Sequence, residues 1–215
     1  MRADLPFDIM DIGQCRYEPA LELQEELVAK RKAGDIRDTL VLVEHDPVFT
    51  LGRNAKEKNI LLPRNEIEKR GVDVVEIGRG GDVTYHGPGQ IVAYPIIDLK
   101  ARGNGVLWYV NSLEEIIIKV LADYGIIAEG GREDRGVWIG NEKIAALGVR
   151  ITRGVTMHGF ALNVRLDMQP YSWIIPCGIP DKGVTSMNLF KDDICISEVK
   201  ESIITCFREV VYNFC

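Results

Sequence analysis

A chain of 215 residues, 46% hydrophobic and 27% charged, fits one domain with a sizeable core or one domain plus a small appendage, and its composition is that of a soluble globular protein. The net charge of −6 argues against non-specific nucleic-acid binding, which needs a basic footprint, and no apolar run approaches bilayer-spanning length. The odd set of cysteines (Cys15, Cys177, Cys195, Cys206, Cys215) contains no C-x-x-C pair. The N-terminus, MRADLPFDIM, has no signal-peptide layout, and Asp4 and Asp8 argue against a transit peptide. A cytoplasmic protein with free thiols is therefore expected. His45, His86 and His158 stand alone in the sequence, so no metal site is expected.

In chain order, residues 7–17 read as a strand. Pro19 stands at a helix start, with Ala20, Leu23 and Leu27 on one face and Gly34 as the stop. Residues 39–44 (TLVLVE) read as a buried strand, 47–51 as a second short one and 72–77 as a third. A glycine turn, a polar segment and a Gly-Pro-Gly turn lead to an apolar strand over 91–97. Gly103-Asn104-Gly105 introduces the longest helix, on which Val106, Val110, Leu113, Ile117, Val120 and Tyr124 recur at helical spacing. From 126 to 164 the pattern becomes strands broken by glycine, at Gly130-Gly131, Gly136, Gly140 and Gly154. Ser197 caps a last helix whose Val199, Ile203, Cys206, Val210 and Phe214 form an apolar stripe, which places Cys206 in the core. No repeat or linker divides the chain. Helices scattered among strand pairs argue for an α+β fold, one mixed, largely antiparallel sheet backed by helices.

The stretch 78–96, GRGGDVTYHGPGQIVAYPI, carries the most information. Glycine lets a backbone take positive φ or lie flush against a ligand. A plain hairpin would explain the glycines, but it requires none of Arg79, Thr84, Tyr85 or His86 inside its turns. Downstream stand Lys143-Ile144-Ala145 with Leu147-Gly148, then His158-Gly159 with Ala161-Leu162-Asn163, and Pro176-Cys177-Gly178. This wording resembles the signature of the lipoyl(octanoyl) transferases in order and spacing, across roughly the middle half of the chain. Ala146 departs from it, since many members of that family carry Ser there. The resemblance implies the fold of the biotin and lipoate protein ligase catalytic domains. It also implies a single catalytic domain over 1–215, with 189–215 as a C-terminal extension of it.

The resemblance further implies transfer of an octanoyl group from octanoyl-acyl carrier protein to a lipoyl-domain lysine. Acceptors would be the lipoyl domains of 2-oxoacid dehydrogenase E2 subunits and the glycine cleavage H protein. No cofactor is implied. Cys177 and Lys143 would be the catalytic pair. The acyl site would comprise Arg79, Gly80, Gly81, Asp82, Val83, Thr84, Tyr85 and His86, with Ala146, Leu147 and Gly148, and with Gly159, Phe160 and Ala161.

The residues themselves support part of this. A lone Cys is more often a small buried hydrophobe than a nucleophile, but Pro176 and Gly178 fix a loop around Cys177. A free thiol of pKa about 8.5 is about 3% thiolate at pH 7, so nucleophilic use needs a nearby cation. Lys143, read alone, is a solvated residue at a strand entry; the family pattern makes it that cation. Neither GxxxxGK[ST] nor a true GxGxxG occurs. Thioester exchange at Cys177 followed by attack of an amine needs no ATP and proceeds through one covalent intermediate. Backbone N–H groups of Gly80, Gly81 or Gly178 are candidate oxyanion donors, and His86 and His158 are expected to orient the site. An acidic carrier protein calls for a local basic face, with Arg53, Lys56, Lys58 and Arg64, or Arg150 and Arg153, as candidates. The rival readings are an ATP-dependent lipoate or biotin ligase or an octanoyl amidotransferase on the same fold, a non-catalytic acyl-binding regulatory protein, and a Cys–His hydrolase.

Overall fold

The computed structural model describes residues 6–131, 134–178 and 181–212; Asp4, Phe214 and Cys215 lie outside them. The chain begins with β1 (Asp8–Cys15), α1 (Tyr17–Ala33), β2 (Thr39–His45) and β3 (Val48–Leu51). There follow α2 (Arg64–Lys69), β4 (Asp73–Glu76), β5 (Val83–His86), β6 (Gln90–Ile96) and α3 (Val106–Asp123). The second half holds β7 (Glu129–Gly130), β8 (Val137–Ile139), β9 (Glu142–Thr152), β10 (Val155–Asn163), β11 (Gly183–Val184) and α4 (Ile196–Tyr212).

The fold is α+β with a mixed sheet of eight strands, in the order β1-β2-β6-β10-β9-β8-β7, with β11 beside β9. Only the β1–β2 and β11–β9 pairs are parallel; the others in this sheet are antiparallel. Its central strands are apolar on both faces because both are covered. Leu40 and Leu42 face the core shared with α3 and α4, while Val41 and Val43 face that shared with α1. Such strands read as continuous hydrophobic runs, which is why 39–44 and 91–97 stood out in the sequence. The β9–β10 hairpin closes at Arg153-Gly154, both at positive φ, as a two-residue turn between twisted strands requires.

Several elements depart from expectation in informative ways. A second sheet, β4-β3-β5, lies beside the first. Its strand β5 looked merely polar because Thr84 and His86 alternate with Val83 and Tyr85. Helix α1 begins at Tyr17, two residues before Pro19, and its buried face carries Gln24 while Leu23 is only half covered. Val106 is 55% exposed instead of belonging to the stripe of α3. Helix α4 begins at Ile196, so Ser197 sits inside it, with its hydroxyl 3.0 Å from the Cys195 thiol. Cys206 is buried in the main core.

Candidate active site

A cavity of about 500 Å³ lies between the 78–86 stretch and the middle of β9 and β10, a size typical of small-molecule sites. The Gly80 N–H donates to the Val149 carbonyl (3.3 Å), tying the glycine-rich loop to β9. Arg79 then crosses Gly148, where a Cβ would come within 2.8 Å of Arg79 Cδ. Its guanidinium is buried and donates to the Thr50 carbonyl (2.7 Å), the Thr50 hydroxyl (3.0 Å) and the Gly80 carbonyl (2.9 Å). Burial draws its pKa down, opposed by the nearby Tyr17 and Cys177 side chains. A positive charge is thus built into one wall.

Cys177 lies at another wall, in a single 3₁₀ turn with Pro176 and Gly178. It takes φ 57°, and Gly178 follows at φ 72°. A left-handed non-glycine residue costs about 1–3 kcal/mol and persists where its surroundings over-determine it. Here Asn59 is the clamp. Its carbonyl accepts the Ile175 N–H (2.8 Å), and its amide donates to Asp82 Oδ2 (2.7 Å). Gly178 packs against both groups: a Cβ there would stand 2.7 Å from Asp82 Oδ2 and 3.0 Å from Asn59 Nδ2. The thiol is half-buried, so it can be reached.

Lys143 enters from the start of β9, where it pairs with Trp138 on one side and Val184 on the other. It is 6% exposed, not the solvated edge residue that its sequence context alone suggests. Its ammonium donates to the Arg135 carbonyl (3.0 Å) and to Cys177 Sγ (3.4 Å), and lies 4.6 Å from the centre of the Trp138 ring. Carbonyl oxygen, π-face and sulfur all favour a cation at that point.

The histidines differ. His86 Nδ1 contacts Gln90 Oε1 (2.7 Å) and Nε2 contacts the Thr50 hydroxyl (3.2 Å); burial, with His45 and Arg79 nearby, pushes its pKa down to about 3. His45 bridges the Cys15 carbonyl and the Tyr94 hydroxyl, and burial takes it to about 4. His158 has φ 59°, and its backbone N–H donates to Gln24 Oε1 (2.9 Å). Both its ring nitrogens are buried without a partner among the described residues. Burial, then Arg79, Arg150 and Arg53, hold it near 4. All three imidazoles are neutral at pH 7.

Of the residues that the sequence singled out, Cys177, Lys143, Arg79, Gly80, Gly81, Asp82, Thr84 and His86 border the cavity, as do 146–148 and 159–161. Val83 and Tyr85 do not: strand alternation turns them into the small core of the second sheet. The N–H groups of Gly80 and Gly178 are already committed to the Val149 and Ile175 carbonyls, which weakens both as oxyanion donors. Tyr17, Trp138 and the Arg135 carbonyl were not foreseen. Asn59 was not either, and no local pattern marks it. Trp138, cross-strand from a predicted lysine, could have been found from strand pairing.

This fold, with a cysteine and a lysine meeting in a cavity over the sheet, defines a lipoyl protein ligase A/B catalytic domain, whose family model matches residues 16–208. The chain belongs to that family. It is an acyltransferase of the octanoyltransferase group. An octanoyltransferase of Caldicellulosiruptor saccharolyticus is 51% identical over 187 residues, covering 85% of this chain and 79% of that one. One from Alkaliphilus metalliredigens is 48% identical over 181 residues (84% and 83%), and a mitochondrial octanoyltransferase of Arabidopsis thaliana is 42% identical over 212 residues (97% and 90%). Among solved structures, a lipoate-protein ligase A bound with ATP superposes with a TM-score of 0.78 at 18% identity, over 97% of this chain and 86% of that one. A biotin protein ligase from Aquifex aeolicus gives 0.56 at 13% identity, over 96% and 69%. These two likenesses concern the fold alone. Among the described residues no helix is long and apolar enough to cross a membrane.

Proposed function

We propose that residues 1–215 act as one catalytic domain, with 189–215 as its extension, moving an octanoyl group from octanoyl-acyl carrier protein to the lysine of a lipoyl domain through a Cys177 thioester. The observation that carries this reading is the 3.4 Å approach of the Lys143 ammonium to Cys177 Sγ inside a cavity of about 500 Å³. The Cys177 thiolate attacks the donor carbonyl, and the carrier thiolate leaves with a proton from Lys143. Lys143, then neutral, takes a proton from the acceptor ammonium. The freed amine attacks the acyl-enzyme, its surplus proton passes to solvent as the amide forms, and the Cys177 thiolate leaves. Thioester is exchanged for thioester and then for the more stable amide, so no nucleotide is consumed.

The predicted acyl-site residues along 146–148 and 159–161 would wall the octanoyl chain, and Arg79 and His86 would orient it. Lipoyl domains of E2 subunits and the H protein are the proposed acceptors. For the acidic carrier, Arg53 and Arg150 are the better-placed basic candidates. The Arg53 N–H bonds the Arg79 carbonyl, and the Arg150 guanidinium lies against Gly78. Arg64 is already paired with Glu76 (2.7 Å). The test is octanoyl transfer to a lipoyl domain with either octanoyl-acyl carrier protein alone or octanoate plus ATP. Turnover with the first donor, and none with the second, is expected. Dependence on ATP would replace the proposal with a ligase.

A further inference from the structure

Lys143 does not choose its own position. Its ammonium rests on a backbone carbonyl, that of Arg135, in the short connection between β7 and β8. What fixes its Arg135-Gly136 peptide is a buried carboxylate on α3. Glu114 is 7% exposed. Its Oε1 accepts the Gly136 N–H (3.1 Å), and its Oε2 accepts the Arg135 guanidinium (3.2 Å). Asn111, one turn earlier on the same helix face, accepts a second bond from Arg135 (3.0 Å). Gly131 N–H donates to the Gly136 carbonyl (2.8 Å), closing the connection on its other side.

Gly136 is where the lysine stem passes. It adopts φ 143°, and a Cβ there would lie 2.8 Å from the Ala145 carbonyl and 3.0 Å from Lys143 Cε. The peptide between Arg135 and Gly136 therefore carries both contacts, its N–H on Glu114 and its C=O on Lys143. Such linked bonds polarise one another. Turning that peptide away from Glu114 turns the carbonyl away from the ammonium.

We propose that Glu114 is the positioning residue of the site: it holds the 135–136 peptide so that the Arg135 carbonyl seats the Lys143 ammonium against Cys177. The inference rests on the Cys177–Lys143 reading above. It assigns α3 a role beyond filling the core, and it explains why a carboxylate is buried on a helix whose neighbouring buried positions are mostly apolar. Four other titratable groups near the seat are accounted for separately. Lys182 lies 4.5 Å from the Trp138 ring centre, but it is paired with Asp134 (2.8 Å). Arg79, Tyr171 and Asp82 reach the Cys177 side from the 79–82 loop and the 169–173 turn, and Glu114 does not bond them.

The experiment is the rate of Cys177 alkylation by iodoacetamide against pH in the full chain, with octanoyl transfer measured alongside. Glu114→Ala should slow alkylation at pH 7 about tenfold, move its pH profile to higher pH and lower octanoyl transfer by a similar factor. Glu114→Gln keeps an amide oxygen for the Gly136 N–H and should restore most of both. Where Glu114→Ala does not fold, Glu114→Asp, one methylene short, should shift the profile the same way. A folded Glu114→Ala or Glu114→Asp protein with the wild-type profile overturns the proposal, as does a Glu114→Gln variant no better than alanine. Wild-type Cys177 reacting no faster than a free thiol would instead overturn the Cys177–Lys143 reading beneath it.

Discussion

Lys143, His86 and His158 border one cavity, with His45 packed against His86 behind it, and the lysine and the imidazoles are built in opposite ways. Lys143 is buried, yet its ammonium contacts three groups that a cation prefers: a carbonyl, an aromatic face and a sulfur. His45, His86 and His158 are also buried, yet their surroundings hold them neutral, at about 4, 3 and 4. Burial alone therefore does not decide what charge a group carries; the partners left inside with it do. Around this cavity the lysine is furnished with hydrogen-bond and π partners, and the imidazoles form a neutral framework.

The sharpest way to break that contrast is to remove what the lysine serves. Cys177→Ser should lower octanoyl transfer by several orders of magnitude, since a hydroxyl beside an ammonium is a far weaker nucleophile than a thiolate; residual turnover within tenfold of wild type would remove Cys177 from the chemistry. Lys143→Met should cost about a thousandfold, within the usual range for a lost acid–base group. Lys143→Arg keeps the charge but cannot give up its proton near neutral pH. It should keep part of Cys177 acylation while failing in transfer to the amine, which single-turnover measurement of each half-reaction can separate.

Smaller effects test the walls. If 146–148 and 159–161 line the acyl chain, removing four methylenes forfeits about 0.8 kcal/mol each, or about 3 kcal/mol in all, so kcat/KM for a butanoyl donor should fall roughly a hundredfold. Comparable values for butanoyl and octanoyl donors would exclude a sized tunnel. The smallest effect belongs to the histidines. Below pH 6.5 the unfolded chain takes up protons that the folded imidazoles refuse. Their contribution to stability is thus complete above pH 6.5 and lost as pH falls toward 4 and then 3. Thermal unfolding should show Tm falling across that window. His158→Asn, whose side chain tolerates positive φ, should flatten the fall while changing transfer by less than tenfold. A loss as large as that of Lys143→Met would make His158 the base after all.

The sequence foretold the large sheet well where its central strands β2, β6 and β10 are buried on both faces and so read as apolar runs. It foretold the small sheet poorly: β5 is half polar, and what makes it a strand is pairing with β3, a long-range contact that no local pattern records. The site divides the same way. Motif wording brought Lys143, Cys177 and the 79–86 stretch into view, though alternation in β5 keeps Val83 and Tyr85 out of the cavity. The parts that hold the machinery stayed hidden. Asn59 and Glu114 act through backbone groups far from them in sequence, and Gln24 satisfies the N–H of a strained histidine 134 positions away. Such roles are properties of the folded arrangement and leave no spacing behind.

The most direct measurement is the intact mass of the full chain after incubation with octanoyl-acyl carrier protein, without ATP or acceptor, followed by peptide mapping. One octanoyl group per chain is expected, on Cys177, released by neutral hydroxylamine as a thioester should be and absent from Cys177→Ser. No adduct, an adduct on Cys15 or Cys195 that survives Cys177→Ser, or a hydroxylamine-resistant adduct on Lys143 would contradict the account.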